Sequence, residues 1–289
     1  MTMITLLVCL LTNYWSCDAT HATEPQPIQN AERTQSPDSN FHIYLCFGQS
    51  NMEGSAKIEA MDREVDRRLQ VMQPLTCPNL ERTQGRWYPA VPPLSQCHVG
   101  LSPADYFGRN MVAALPDSVR VGLIVVAIGG CDIRLFDKDN FSTYTDTYPE
   151  EWFQQKIAGY GGNPYQRLVD LAKAAQKDGV IKGFLLHQGE TNTGNTAWPT
   201  YVEKIYGDLL KDLDLSEVPL LAGEVVHEDQ GGKCARMNPI INTLPEQLSN
   251  AHVISSKGCD SQSDSIHFSS KGVRELGRRY AAKMLELNP

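Results

Sequence analysis

The sequence predicts an α/β protein in which a parallel sheet carries helices on both faces. From residue 41 onward, apolar β-type segments alternate with segments of helical pattern, which is typical of a doubly wound parallel sheet in one domain. Several of these segments are almost continuously apolar, as expected of parallel strands covered on both faces. The predicted strands are 41–47, 119–128, 180–187, 218–226 and 251–255.

The helices between these strands begin with recognisable N-terminal capping sequences. A capping side chain followed by proline favours the first turn of a helix, because proline needs no N–H partner there. In the last predicted helix, about 270–287, apolar residues recur every three or four positions and form one stripe for packing. The predicted starts are Ser102-Pro103, Asn163-Pro164, Trp198-Pro199 and Asn238-Pro239.

Composition limits the partners that this protein can have. The 289 residues are 41% hydrophobic and 21% charged, with a formal net charge of −8. Nucleic acids and anionic membranes both call for a basic surface, so neither is expected as a main partner. Beyond the N-terminal segment, no apolar run approaches the roughly 18 residues of a membrane span.

The N-terminal segment has the pattern of a secretion signal. Residues 4–11 are apolar, and Thr20-His21-Ala22 resembles a signal-peptidase site. Two alternatives are lipidation at Cys17 and a leader from an expression vector. The polar, proline-bearing stretch that follows is typical of a disordered linker. The predicted organisation is a signal peptide at 1–22, a linker at 23–40 and a folded domain at 41–289, which favours a secreted or periplasmic protein.

Cysteine positions give a further expectation about the fold. Export would favour two disulfides in irregular segments, Cys77 with Cys97 and Cys234 with Cys259. Cys46 and Cys131 lie beside apolar strands, where buried thiols are expected. No cysteines have the spacing of zinc ligands.

Polar and glycine residues follow the predicted strands, at the point where each strand ends. An open parallel sheet binds ligands beyond the carboxyl ends of its strands, so these residues are expected to meet at one edge. In chain order they are Gly48-Gln49-Ser50-Asn51, Gly129-Gly130, His187-Gln188-Gly189-Glu190, Glu224 and Asp264-Ser265-Ile266-His267.

This set of residues suits nucleophilic catalysis by a serine. A hydroxyl such as that of Ser50 needs a base, usually a histidine that a carboxylate orients. Asp264 lies three residues before His267, which suits that pairing. His187 competes for the role of base, although a buried core histidine explains it equally well. Donors for the oxyanion could be the N–H groups of Ser50 and of Gly129 or Gly130, with the Gln188 side chain.

The blocks Gly48-Gln-Ser-Asn-Met52, Ala127-Ile-Gly-Gly130, His187-Gln-Gly-Glu190 and Asp264-Ser-Ile-His267 resemble the SGNH/GDSL hydrolase superfamily. Within it they are most similar to carbohydrate esterase family 6, the acetylxylan esterases, and to the sialate O-acetylesterase domain. The resemblance implies a flavodoxin-like three-layer αβα sandwich with a five-stranded parallel sheet. It also implies that no metal or cofactor is needed.

The resemblance carries over to individual residues. It implies Ser50 as nucleophile and His267 as base, with the oxyanion held by Ser50, by Gly129 or Gly130, and by Gln188, which replaces the asparagine of most members. The acid partner is open between Asp264, which we favour, and Glu190. We expect substrate contacts from Gln49, Asn51 and Trp87.

The implied activity is a secreted serine esterase that removes O-acetyl groups from plant cell-wall polysaccharide, with acetylated xylan or a related oligosaccharide as substrate. A sialate O-acetylesterase or another small-ester hydrolase is the alternative within this chemistry. A non-catalytic carbohydrate-binding protein is the alternative from another class. Aromatic residues of the long connections 51–102 and 131–163, such as Trp87 and Trp152, could stack on sugars or cover the core.

Overall fold

A computed structural model describes residues 36–288, which form three layers around a seven-stranded sheet. The strand order is β3-β2-β4-β1-β5-β6-β7. All neighbouring strands are parallel except β2 and β3, which form an antiparallel pair at one edge. The strands are β1 (Phe41–Gly48), β2 (Leu69–Met72), β3 (Trp87–Pro89), β4 (Arg120–Ala127), β5 (Val180–His187), β6 (Leu220–Gly223) and β7 (Ala251–Ile254).

Helices cover the sheet on both faces. Helices α2 and α9 bury their apolar sides with Tyr44 and Cys46 of β1. Helices α4, α5 and α6 cover the other face, with Leu45 and Phe47. The alternation of β1 side chains between two cores explains its continuous apolar sequence. The helices are α1 (Ser50–Glu53), α2 (Pro103–Ala114), α3 (Phe141–Asp146), α4 (Glu151–Gly159), α5 (Pro164–Ala175), α6 (Trp198–Asp212), α7 (Asn238–Ile241), α8 (Leu244–Gln247) and α9 (Ser270–Leu287).

The predicted fold class is confirmed, but the predicted number of strands is wrong. The five predicted strands are β1, β4, β5, β6 and β7, and their spatial order is that of a flavodoxin-like sheet. The connection 51–102 adds β2 and β3. Leu69 and Val71 of β2 are fully buried and pair with β4, so this segment extends the sheet rather than forming a loop.

Only part of the predicted N-terminal organisation falls within the described residues. The predicted signal peptide at 1–22, and the linker up to residue 35, lie outside them. In the remainder of the predicted linker, the Asp38 N–H donates to the Asp178 carbonyl at 3.1 Å, and the Asp38 carboxylate pairs with Arg120 at 3.0 Å. The domain therefore makes contacts from Asp38 onward. Within residues 36–288, no helix is both long and apolar enough to cross a membrane.

The structure confirms one of the two predicted disulfides and contradicts the other. Cys77 and Cys97 form the predicted disulfide. The second predicted disulfide is wrong, because Cys234 and Cys259 are both free thiols. Cys259 is fully buried, whereas Cys234 lines an open cleft described below. Cys46 and Cys131 are buried free thiols, as predicted.

Candidate active site

A tight turn at the end of β1 displays Ser50. Gly48 has φ +145°, and a Cβ built there would lie 2.0 Å from the carbonyl oxygen of His187. Only glycine allows so close an approach of the two backbones. The Gln49 N–H then donates to that same carbonyl at 3.0 Å. Ser50 therefore begins α1 at the carboxyl edge of the sheet, between β4 and β5.

Ser50, His267 and Asp264 form a continuous chain of hydrogen bonds. The Ser50 Oγ lies 2.8 Å from His267 Nε2, across 217 residues of sequence. The other ring nitrogen, Nδ1, lies 2.6 Å from Asp264 Oδ2. This is the geometry by which a carboxylate orients an imidazole toward a nucleophilic hydroxyl. Ser50, Asp264 and His267 therefore converge as predicted. Glu224, predicted at the same edge, does not line the cleft around Ser50 and instead accepts from Asn242 and the Ser256 N–H.

The environment of Asp264 keeps it ionised. Desolvation by itself would raise the pKa of Asp264, but three hydrogen bonds outweigh it and lower the pKa to about 2. These bonds come from the N–H groups of His267 and Ile266 and from the His267 ring. A charged Asp264 can stabilise the imidazolium that forms when His267 takes a proton.

Asn51 fixes the segment that carries His267. Its Nδ2 donates to Glu190 Oε1 at 2.6 Å and to the Ile266 carbonyl at 3.2 Å. Its Oδ1 accepts the Phe268 N–H at 3.1 Å. The Asn51 side chain is completely buried. The predicted substrate contact by Asn51 is therefore wrong, because its amide is used to hold the residues on both sides of His267.

Glu190 lines the same cleft as His267, but within the described residues the two side chains form no hydrogen bond. In that part of the chain the only side chain that hydrogen-bonds to Glu190 is that of Asn51, and its second oxygen has no hydrogen-bond partner. Desolvation raises the pKa of Glu190, and backbone N–H groups and Asn51 offset this only in part. The geometry therefore favours Asp264 as the acid partner. Neighbouring His187 is completely buried, and burial lowers its pKa to about 3, so it is a neutral core residue.

The Gln188 amide is not available to an oxyanion. Its Nε2 donates to acceptors on three residues, including Asn192 Oδ1 at 2.6 Å and Gln49 Oε1 at 3.1 Å, while its Oε1 accepts the Trp198 indole N–H. Because an indole N–H can only donate, this orientation of the amide is fixed. Gln188 does not line the cleft, so the oxyanion-hole position predicted for its side chain is wrong.

Gln49 presents its amide nitrogen in place of Gln188. The Gln49 Oε1 accepts from Gln188 and from the N–H groups of Gly189 and Thr191. Backbone N–H groups must donate, so that end of the amide is the oxygen. The nitrogen has no acceptor within residues 36–288, and Gln49 lines the cleft beside Ser50. The substrate contact expected of Gln49 stays a prediction.

Two backbone N–H groups complete this part of the site. Within residues 36–288, neither the Ser50 N–H nor the Gly129 N–H donates to a protein acceptor. A Cβ at Gly129 would lie 3.4 Å from the Ser50 Cβ, so Gly129 is adjacent to the serine. Gly130 has φ +78°, and its carbonyl accepts the Thr191 hydroxyl at 3.1 Å. Gly130 thus makes the turn that brings Gly129 to Ser50.

The surrounding cleft has a volume of about 540 Å³. Two charged residues of the cleft, Glu53 and Lys156, belong to none of the motifs found in the sequence. Their side chains form an ion pair at 2.6 Å although the residues are 103 positions apart. The elements that contribute are α1, α4 and the segments that follow β4, β5, β6 and β7. The lining residues are Gln49, Ser50, Glu53, Ser55, Gly129, Gly130, Trp152, Lys156, Glu190, Thr191, Cys234, Ile266 and His267.

Trp87 lies far from this cleft. Its ring packs on Phe41, the first residue of β1, at 4.8 Å between centroids, and its indole N–H donates to Asp178 at 2.9 Å. Ser50 follows the opposite end of β1, about 25 Å away at roughly 3.3 Å per residue. The predicted substrate contact by Trp87 is therefore wrong, because the β2–β3 pair carries it to the amino edge of the sheet.

A second groove, of about 570 Å³, lies between α2 and α9. Its arginines are already paired, Arg274 with Asp62 and Arg278 and Arg279 with Glu275. Within the described residues its lining contains no serine or histidine. The chemistry therefore favours the slightly smaller cleft around Ser50.

The Ser50–His267–Asp264 arrangement has the geometry of the triad found in serine hydrolases. The sequence model of the family described as "Carbohydrate esterase, sialic acid-specific acetylesterase" matches residues 40–286. The chain belongs to this carbohydrate esterase family.

Three known proteins are similar to this chain over most of its length. An Arabidopsis thaliana protein named "Probable carbohydrate esterase" is 25% identical over 279 residues, which cover 90% of this chain and 96% of that protein. The solved structure of that same A. thaliana protein has a TM-score of 0.65 at 21% identity, and the match covers 85% of this chain and 98% of that structure's chain. NanS has a TM-score of 0.63 at 15% identity, and the match covers 88% of this chain and 98% of the NanS chain. A carbohydrate acetylesterase from Xanthomonas citri has a TM-score of 0.59 at 16% identity, and the match covers 83% of this chain and 55% of that chain. These structural similarities support the fold.

Proposed function

We propose that this protein hydrolyses O-acetyl esters on carbohydrates through an acetyl-enzyme at Ser50. The observation that carries the proposal is the 2.8 Å contact between Ser50 Oγ and His267 Nε2, at the floor of an open cleft. A serine hydroxyl is weakly nucleophilic until such a base accepts its proton. Membership of a carbohydrate esterase family supports a sugar as the alcohol part of the ester.

The chemistry follows from the hydrogen-bond chain. The Ser50 Oγ attacks the acetyl carbonyl carbon while His267 Nε2 takes the hydroxyl proton, and Asp264 holds the resulting imidazolium. The bond between the acetyl carbon and the sugar oxygen then breaks, and His267 gives the proton to that oxygen. Water attacks the acetyl-enzyme by the same route, which releases acetate and restores Ser50.

Three donors are positioned for the negative oxygen of the tetrahedral intermediate. They are the N–H groups of Ser50 and Gly129 and the Nε2 of Gln49, all beside the nucleophile. Donors that are fixed before the reaction stabilise the developing charge without reorganisation. Gln188 acts through Gln49, because its amide holds the Gln49 oxygen and so turns the Gln49 nitrogen toward the cleft.

Replacing Gln49 with glutamate tests this assignment. The substitution keeps an acceptor for Gln188, Gly189 and Thr191 but replaces the proposed donor with a carboxylate oxygen. We expect kcat for 4-nitrophenyl acetate to fall by about 10²- to 10³-fold, as when an oxyanion donor is lost. Gln84→Glu, at an exposed position away from the cleft, controls for the added charge. Parental kcat in Gln49→Glu would assign Gln49 a purely structural role.

The finer proposal is that the substrate is acetylated xylan or a related plant oligosaccharide. A second candidate is O-acetylated sialic acid, which the description of the matching family favours. Acetate release from acetylated xylan and from 9-O-acetylated sialic acid separates the two, with Ser50→Ala as the blank for spontaneous hydrolysis. If neither these nor other acetylated sugars release acetate while 4-nitrophenyl acetate is turned over, the carbohydrate assignment fails.

We also propose that the protein acts outside the cytoplasm. Support comes from the Cys77–Cys97 disulfide, which is expected in an oxidising compartment, and from the signal-like pattern of residues 1–22. Fractionation of the source cells tests this proposal, and recovery of the enzyme only with the cytoplasm would contradict it.

A further inference from the structure

Trp152 is unusually exposed for its size. Within the described residues it is one of two strongly exposed large apolar side chains, with 47% of its surface accessible; the other is Met61 at 59%. Indole rings bury most of their apolar surface on average, and this exposed ring lines the Ser50 cleft, where a bound ligand can cover it. Met61, by contrast, does not line the Ser50 cleft.

The Trp152 ring lies beside the residues proposed to hold the oxyanion. Its Cη2 would be 3.2 Å from a Cβ at Gly130, and Gly130 follows Gly129, whose own Cβ position is 3.4 Å from the Ser50 Cβ. Because consecutive Cα atoms are about 3.8 Å apart, the indole edge lies within about one sugar ring of the nucleophile. An acetyl group at Ser50 would therefore place its sugar next to Trp152.

Neighbouring side chains hold this ring in place. Trp152 packs edge-on against Phe153 at 5.5 Å and Tyr148 at 6.3 Å between centroids. The ammonium of Lys156, one helical turn further along α4, lies 6.0 Å from the Trp152 ring centroid. Lys156 is itself tied to Glu53 of α1 at 2.6 Å. The indole is thus fixed relative to Ser50 without being buried.

We infer that Trp152 is the platform on which the sugar ring of the ester stacks, and that it determines specificity for pyranose esters over simple alkyl esters. This inference rests on the proposed function. The C–H face of a pyranose is complementary to the electron-rich face of an indole. Lys156 also lines this cleft and donates one hydrogen bond to Glu53, and in this proposal its remaining N–H groups donate to a hydroxyl of the bound sugar.

The test compares two esters that differ in the alcohol. We measure kcat/KM for an acetylated xylo-oligosaccharide and for ethyl acetate, whose alcohol has no ring, and take their ratio. Trp152→Ala is expected to lower the ratio about tenfold, mainly through a higher KM for the sugar ester, while Trp152→Phe restores most of it. Met61→Ala, which removes the other exposed apolar side chain, keeps the parental ratio.

An unchanged ratio in Trp152→Ala would overturn the inference, as would an equal loss on both esters. Binding separates this outcome from a failure of the proposed chemistry. In the Ser50→Ala background, the xylo-oligosaccharide is expected to perturb tryptophan fluorescence, and Trp152→Phe is expected to remove that signal. If the fluorescence change persists in Trp152→Phe, Trp152 is not the residue on which the sugar stacks, even if the protein is an active esterase.

Discussion

Ser50→Ala is expected to lower kcat/KM for 4-nitrophenyl acetate by about 10⁶-fold, the effect seen when the nucleophile of a serine hydrolase is removed. The Ser50 hydroxyl is placed to form the covalent intermediate, since its Oγ lies 2.8 Å from the Nε2 of the base His267. Removing the Oγ leaves the backbone of the turn unchanged, because Gly48 and Gln49 make its contacts with β5. Stability is therefore expected to stay close to that of the parent.

The measurement pairs initial rates with a thermal melt. Ser216→Ala, which removes an exposed hydroxyl outside the cleft, is the matched control and should retain parental rates. A folded Ser50→Ala protein that keeps more than a hundredth of the parental rate would show that Ser50 is not the nucleophile.

Asp264→Asn is expected to lower kcat by about 10⁴-fold, the loss that follows when the orienting carboxylate of a triad is neutralised. The amide can no longer stabilise the imidazolium or select the Nδ1–H tautomer of His267. Glu190→Gln is expected to cost at most about tenfold, because its Oε1 can still accept from Asn51 and its other oxygen has no partner.

The two variants are compared in the same assay, with melting temperatures to confirm folding. Glu190 is buried and its pKa is raised, so its neutral amide is expected to be well tolerated by the fold. The opposite ranking, with Glu190→Gln nearly inactive and Asp264→Asn active, would transfer the orienting role to Glu190.

The core of the fold and the location of the site could be predicted because both depend on local patterns. Long apolar runs mark β1, β4 and β5, which are buried on both faces. The carboxyl ends of parallel strands must share an edge, so Ser50 and Asp264–His267 could be brought together without coordinates. The proximity of Asp264 and His267 in sequence also determined which acid lies within reach of the ring.

The roles of the amides could not be predicted, because they depend on which way a buried side chain turns. Gln188 follows β5 as expected, yet the Trp198 indole ten residues later holds its oxygen and turns its nitrogen inward. Gln49 consequently takes the place at the cleft. The Asn51 amide likewise donates to Glu190, a partner 139 residues away in the sequence, and is not available to a substrate.

Long-range contacts also explain the other differences. Strands β2 and β3 are only four and three residues long, and they form because β4 offers an edge, which no local pattern shows. The same pair moves Trp87 to the amino ends of the strands. Trp152 reaches the cleft instead, since Lys156 and Glu53 join α4 to α1.

Labelling by an organophosphate such as paraoxon, followed by peptide mass spectrometry, tests the central claim most directly. The reagent phosphorylates a serine only where a base activates it and donors stabilise the adduct. We expect stoichiometric labelling on the peptide that contains Ser50, with loss of esterase activity in proportion, and no labelling in His267→Ala. An unlabelled Ser50 in active enzyme, or inactivation through a different residue, would contradict the account.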